Sequence, residues 1–190
     1  MRITKDPDIR RQEIIDSARE LFQSKGIKGT SMNDIAENIG VAKGLIYYYF
    51  SSKEELLKTV LDEFIKDVDE ALKDIAEKSL DFYRKLSTIL NIYFKSIQAN
   101  QDILSYLPGD PEMFSHVRNR LSDLAMLYAK DLIDIGIKLG ILHIKYPDYL
   151  LKIIIRGLAD IYIEGITEPY IHATLIEQIL GLKDGSITLT

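Results

Sequence analysis

Apolar residues recur at three- and four-residue steps along nearly the whole chain, and no stretch alternates like a strand. The pattern predicts an all-α protein. A first helix is expected from about Asp8 to Ser24, with Ile14, Ile15, Ala18, Leu21 and Phe22 inward and Gly26 ending it. A long helix follows from Lys53 to about Glu77, where Leu56, Leu57, Val60, Leu61, Phe64, Ile65, Val68 and Leu72 keep one face and no Gly or Pro interrupts. Leu80 to Ala99 forms another, with Phe82, Leu86, Ile89, Leu90, Tyr93, Phe94 and Ile97 inward. A short helix from Asn100 to near Leu107 precedes the turn Pro108-Gly109-Asp110-Pro111. Pro111, a favoured first residue, then opens a helix to about Leu139, through Phe114, Val117, Leu121, Leu124, Leu127, Tyr128, Leu132 and Ile135. Two more are expected at about Tyr149–Ile166 and His172–Leu182. Residues 1–7 and the tail from Lys183 are expected to be loose.

Between the first and the long helix, Ser31 to Phe50 has a different grammar. Ser31 with Asp34 makes a capping pattern, Met32, Ile35, Ala36 and Ile39 share an apolar face, and Gly40 suits a left-handed cap. A second short helix, about Lys43 to Tyr49, follows almost at once, and so short a turn forces a steep crossing. This is a helix-turn-helix over residues 31–50. Its second helix can turn Ile46 and Phe50 inward and Lys43, Gly44, Tyr47 and Tyr48 outward. Lys43 can meet phosphate or a guanine edge, Gly44 permits close approach, and the two phenols suit phosphate and thymine methyls. A buried aromatic cluster is the plainer reading. Three adjacent tyrosines cannot all face one way, however, because successive helical residues turn by about 100°. Ser52 with Glu55 repeats the capping pattern, and Lys53 at that helix start can reach the DNA backbone. Arg10 and Arg11 either brush phosphate or form a solvated first turn. Thr30 is a cap-region residue, a phosphate contact, or both.

Charge changes this picture little. The net charge is −5, but residues 1–53 carry nine basic against seven acidic side chains, net +2, and the remainder 15 against 22, net −7. A mildly basic head on an acidic body fits orientation towards a polyanion and modest non-specific affinity. The chain has no cysteine, which excludes disulfides and thiolate chemistry. No apolar run reaches the roughly 18 residues of a membrane span, and the N-terminal residues lack a signal-peptide core, so a cytoplasmic protein is expected. His116, His143 and His172 are scattered, and there is no HExxH motif, Gly-rich phosphate loop or EF-hand. No catalytic residue, metal or cofactor is expected. Asp67, Asp69, Glu70 and Asp74 read as a solvated face.

The run from Arg11 to Leu57 resembles the N-terminal domain of the TetR family of transcriptional regulators. The resemblance rests on Ile14, Ala18, Leu21, Phe22, Gly26 and Thr30, on Ile35, Ala36, Gly40, Val41, Lys43 and Gly44, and on Ile46, Tyr47, Tyr48, Phe50, Lys53, Glu54 and Leu56. It covers about a quarter of the chain. It implies DNA contacts from Ser31, Asn33, Lys43, Gly44, Leu45, Tyr47, Tyr48, Tyr49 and Lys53. Ala42 stands where the family often has a capping Ser or Thr, and Leu45 where a small Thr is common, which would make its base reading apolar.

The expected architecture is therefore a three-helix DNA-binding domain at 1–53 and a helical ligand-binding and dimerisation domain at 54–190. The helix at 149–166 is apolar over most of its circumference, which calls for cover by a partner subunit. The family dimerises through its last two large helices as a four-helix bundle, which implies a homodimer built on Ile153, Ile154, Leu158, Ile161, Leu175, Ile176, Ile179 and Leu180. The alternative is that both helices pack within one chain. Lys152, Arg156, Asp160 and Glu164 form a polar stripe there, facing solvent or the interface in preference to anchoring a pocket. Helical bundles bind small molecules between helices, and Tyr83, Tyr93, Tyr106, Phe114, His116, Met126, Tyr128 and Tyr162 could line a site for a hydrophobic or aromatic ligand. The function implied is a ligand-responsive regulator, a repressor released from a double-stranded palindromic operator by an inducer. The competing reading is a helical ligand-binding or scaffold protein that no longer reads DNA.

Overall fold

The computed structural model describes residues 6–189, and the described residues form helices without strands. The helices are α1 (Pro7–Gly29), α2 (Met32–Asn38), α3 (Lys43–Tyr49), α4 (Lys53–Glu77), α5 (Phe82–Ala99), α6 (Gln101–Leu104), α7 (Pro111–Lys138), α8 (Pro147–Ile163) and α9 (Pro169–Leu180), with a 3₁₀ turn at Leu107–Gly109. Among the described residues no helix is long and apolar enough to cross a membrane. The expected looseness of residues 1–5 lies outside the described residues, whereas Asp6 caps α1 by accepting from the Asp8 N–H at 2.9 Å.

The chain divides into two compact units. The first runs up to Lys66 and takes in Ala99–Val117; the second comprises Asp67–Gln98 and the chain from Arg118 onward. In the first, Ile14, Ile15, Ala18, Leu21 and Phe22 of α1 are buried, as are Ile35 and Ala36 of α2 and Ile46 of α3. Leu56, Leu57, Val60, Leu61 and Phe64 of α4 complete that core, so the expected long stripe is real. Helix α1 is longer than expected. Gly26, at φ 74° and ψ 160°, breaks it, but one more turn follows to Gly29 and buries Ile27.

In the second unit, Leu72, Phe82, Leu86, Leu132, Ile133, Leu142, Leu151 and Ile176 are buried. Leu127 and Ile135 of α7 are exposed instead of inward; eight residues apart, they share an outer stripe with Leu139. Helices α8 and α9 start earlier than expected because Pro147 and Pro169 each supply a first helical residue. The last segment is not loose. Ile187 is buried, and the buried Glu177 carboxylate accepts from the N–H groups of Gly185 at 3.1 Å and Ile187 at 2.6 Å. Thr188 donates its N–H to Ser87 Oγ at 3.1 Å and accepts from Asn91 Nδ2 at 2.8 Å. A strand-free tail thus ends fastened to α5 and α9.

Candidate nucleic-acid interface

The helix-turn-helix is built as its sequence dictates. Ser31 Oγ accepts from the Asp34 N–H at 3.2 Å, and the Asp34 carboxylate accepts from the Ser31 N–H at 2.7 Å, a reciprocal cap. The Ser31 hydroxyl and N–H together hold the Asp34 carboxyl below the usual carboxylate range. Gly40 takes φ 67°, and the Val41 N–H returns to the Ala36 carbonyl at 2.9 Å, turning the chain sharply into α3. Ala42 caps α3 with no side-chain hydrogen bond. The departure noted in the sequence therefore leaves that helix start open.

Helix α3 separates its faces cleanly. Ile46 is fully buried, and Phe50 beyond its end packs inward. Lys43, Gly44, Tyr47 and Tyr48 point out, Tyr48 at 79% exposure. Lys43 and Tyr47 are one turn apart, and the Lys43 ammonium lies 5.5 Å from the Tyr47 ring centroid. A Cβ at Gly44 would meet nothing within 4 Å, so this flank of α3 is open to an approaching surface. Tyr48 leans edge-on to Tyr49 at 5.1 Å, and Tyr49 and Leu45 are half-buried beside the exposed pair. Ser31 and Asn33 are exposed on α2, with Asn33 donating to Glu37 at 2.6 Å.

Two expected DNA contacts are redirected. Thr30 is 2% exposed, and its hydroxyl donates to the carbonyls of Leu21 at 3.1 Å and Gly26 at 2.9 Å. This corrects the phosphate contact expected of it: the hydroxyl is inside the protein, closing the α1 break. Lys53 is half-buried, and its ammonium donates to the carbonyls of Ile27 at 2.6 Å and Thr30 at 2.8 Å. It clamps the start of α4 to the corner between α1 and α2. Ser52 Oγ caps α4 through the Glu55 N–H at 3.1 Å, while the Glu55 carboxylate returns to Ser51. Ser51 holds that carboxyl below its ordinary range as well. Arg10 pairs with Glu13 at 2.7 Å, and Arg11 stacks 5.0 Å from the Phe50 ring, joining α1 to the end of α3.

Sequence reasoning missed the polar joints of this head. Asn38 Nδ2 donates to the buried Ser17 hydroxyl at 3.0 Å, and Arg19 and Gln12 both reach Glu63 of α4, at 3.3 and 3.1 Å. No local pattern marks pairs so far apart in the chain. A cleft lined by Glu13, Asp16, Ser17, Glu20, Asn38 and Ile39 is acidic, which disfavours phosphate there.

The candidate ligand residues divide between the two units. Tyr106, Phe114 and His116 belong to the first unit, where His116 Nε2 lies 2.7 Å from Asp62. Tyr83, Tyr93, Met126, Tyr128 and Tyr162 belong to the second. Tyr83 is exposed, and Tyr128 spends its hydroxyl on Asp69 at 2.6 Å. Tyr93 and Tyr162 do join an aromatic cluster, completed by Phe94 and His172, which were not proposed as ligand contacts. Of the expected dimer residues, Ile154, Ile176 and Leu180 are buried within the second unit. This corrects their placement: they serve that core. Ile153 and Ile179 are exposed, and Leu158, Ile161 and Leu175 are half-buried.

Residues 14–60 match the family model described as bacterial regulatory proteins, tetR family. The HTH-type transcriptional repressor KstR2 of Mycobacterium tuberculosis is 25% identical over 166 residues, 84% of this chain and 80% of the relative. The HTH-type transcriptional regulator EthR of the same species is 30% identical over 98 residues, 50% of this chain and 45% of that protein. The crystal structure of a TetR/AcrR-family transcriptional regulator from Thermobifida fusca superposes with a TM-score of 0.65 at 28% identity, covering 91% of this chain and 95% of the other. These relatives are transcriptional regulators rather than enzymes.

Proposed function

Because the chain belongs to the TetR family of bacterial transcriptional regulators, we propose that it is a cytoplasmic, homodimeric repressor released from its operator by a small apolar effector. The observation that carries this reading is the outer face of α3, where Lys43, Gly44, Tyr47 and Tyr48 stand exposed over a buried Ile46. A helix so presented fits a major groove, with Lys43 for a guanine edge or phosphate and the phenols for phosphate and thymine methyls. Two such helices in a symmetric dimer would read half-sites about one helical turn, ~35 Å, apart on a palindrome. Dimerisation would use the exposed apolar side chains of α8 and α9, Ile153 and Ile179 among them. KstR2 is a repressor by name, which supports the negative sign of regulation.

Release follows from mechanics. Helix α4 runs from Lys53 to Glu77 with no Gly or Pro in it. A ligand that prefers one position of its second half shifts the population of head spacings and lowers DNA affinity.

Selection of bound sequences from random duplex DNA tests this reading. An enriched palindrome, bound with steep salt dependence, is expected. No enrichment, even after the protein is unfolded, stripped of ligand and refolded, would move the function to a ligand-binding or scaffold role, which the uncapped Ala42 and the inward Lys53 favour.

A further inference from the structure

His172 on α9 is fully buried, and its Nδ1 has no hydrogen-bond partner. Its other nitrogen, Nε2, lies 2.8 Å from the carbonyl oxygen of Ile166. A carbonyl only accepts, so in the neutral ring Nε2 carries the proton and Nδ1 presents a bare lone pair. Buried acceptors are nearly always paired, by protein, by water or by ligand, so this nitrogen calls for a partner from outside the chain.

The surroundings say what could pair with it. The imidazole lies 4.8 Å from the Phe94 ring of α5 and 6.0 Å from the Tyr162 ring of α8, centroid to centroid. Phe94 and Tyr162 are themselves 6.4 Å apart, and Tyr93 stands edge-on to Phe94 at 6.0 Å. Two helices, α5 and α8, thus pack aromatic rings against the imidazole that α9 supplies. Partial burial pushes the Tyr93 phenol up to about 12 and raises that of Tyr162, while Tyr93, Phe94 and Tyr162 are each half-buried. Neither phenol donates to Nδ1. The α8–α9 connection, where Gly165 takes φ 96° and both Gly165 and Ile166 are exposed, meets the ring at its Nε2 side through the Ile166 carbonyl.

We propose that His172 Nδ1 is the polar anchor of a small-molecule site, accepting a hydrogen bond from the hydroxyl of a neutral, apolar ligand held against Phe94 and Tyr162. A hydrocarbon of the same shape leaves Nδ1 unpaired, and a carboxylate sets its own lone pairs against it. Only the role of this ligand as effector rests on the repressor reading; binding itself does not.

The test uses the full chain labelled with ¹⁵N-histidine, titrated with 1-naphthol, phenol and cyclohexanol and, as controls, naphthalene and 1-naphthoate. The His172 signals are those missing from His172→Gln. That variant's amide can still donate to the Ile166 carbonyl but puts no acceptor at the Nδ1 position. At least one alcohol is expected to move the Nδ1 resonance from a bare to a hydrogen-bonded nitrogen. The same alcohol should bind at least about tenfold more tightly than its hydrocarbon, and His172→Gln should abolish that preference while melting as the wild type does. Should His172→Gln fail to fold, the wild-type Nδ1 resonance, assigned from single His116→Gln and His143→Gln variants, still decides. The site is overturned if no alcohol moves Nδ1 up to about 1 mM, the weak end of small-molecule affinity. It is overturned too if naphthoate binds as well as naphthol, or if Nδ1 is already hydrogen-bonded without ligand and stays so, which would mean a bound water only. Operator binding measured on the same samples separates the two readings. Alcohol binding without DNA release sinks the effector role alone, and DNA binding without alcohol binding sinks the site alone.

Discussion

The ammonium of Lys53 donates to the backbone carbonyl of Thr30 at 2.8 Å, tying the first turn of α4 to the residue before the α2 cap. With its second bond to Ile27 at 2.6 Å, this one side chain satisfies two carbonyls at the corner of the head. Two of its three N–H donors are thereby committed to positioning the helix-turn-helix. Lys53→Met should lower stability by about 2 kcal/mol, since charged hydrogen bonds to partly buried carbonyls are lost. The log–log salt slope of DNA binding should stay unchanged. Urea unfolding and binding isotherms at several salt concentrations check this. A slope smaller by about one with full stability would make Lys53 a phosphate contact after all.

Tyr48 offers the opposite case. It is the most exposed aromatic of α3 and supports nothing in the core beyond its edge contact to Tyr49. Tyr48→Ala should change stability by no more than about 0.5 kcal/mol. It should weaken binding to the selected duplex about tenfold, a loss of ~1.4 kcal/mol. Fluorescence anisotropy with labelled duplex reads the second quantity. Unchanged affinity would place the DNA surface elsewhere.

These two residues show what the sequence could and could not say. Periodicity placed Ile46 inward and Tyr48 outward, because a seven-residue helix has only one way to bury Ile46 and reach Phe50. It placed the α4 stripe for the same reason. It gave no warning that Thr30 and Lys53 face each other, because their separation in the chain is fixed by the fold and not by any local repeat. The tail failed likewise: Lys183 to Leu189 looks unstructured until the buried Glu177 takes its N–H groups. The family resemblance marked Lys53 for DNA, but the geometry here uses its donors inside the head.

Gly136 is a place where helix propensity and packing oppose each other. Within α7, Ala is ordinarily favoured over Gly by up to about 1 kcal/mol. A Cβ here would lie 2.7 Å from both Leu142 Cδ1 and Phe82 Cε2, and both side chains are themselves buried. Overpacking costs about 1–3 kcal/mol, so Gly136→Ala should be net destabilising by roughly 1 kcal/mol. A lowered midpoint in urea with unchanged slope would show it. A raised midpoint would mean that the Phe82 ring yields freely.

Acid should loosen the head first through its caps. The folded carboxyls of Asp34 and Glu55 are both held below their ordinary values, by hydrogen bonds from Ser31 and Ser51 respectively. A carboxyl depressed in the folded state binds fewer protons there than in the unfolded chain, so stability rises with pH across the gap. Its contribution is complete above the unfolded values of about 4 and disappears as pH falls through the lower folded ones. The double variant Asp34→Asn, Glu55→Gln should therefore lose less stability than the wild type between about pH 5 and pH 2. Chemical denaturation at stepped pH checks the slope, and parallel curves would show that the caps contribute no linkage.

Helix α8 carries an outer stripe of exposed side chains. Tyr149, Ile153, Arg156, Asp160 and Ile163 follow one another at steps of four and three and are all exposed, Ile153 at 67%. On α9, Tyr170 and Ile179 are exposed too. Large apolar side chains at both ends of such a stripe, with one residue of each charge between them, suit an isologous contact. In a twofold pair, Arg156 of one copy can meet Asp160 of the other, while the apolar groups leave water. Ile153→Lys adds a like charge to that surface and cannot disturb the core, because its side chain lies outside it. The variant should fold and melt as a monomer by sedimentation, and should lose tight binding to a palindrome because each half-site then binds alone. Ile154→Lys, one residue along, should instead unfold the chain, because Ile154 is buried. If Ile153→Lys sediments as a dimer and binds the palindrome normally, subunit contact lies off this stripe, and the outer α7 residues Leu127, Ile135 and Leu139 become the surface to test.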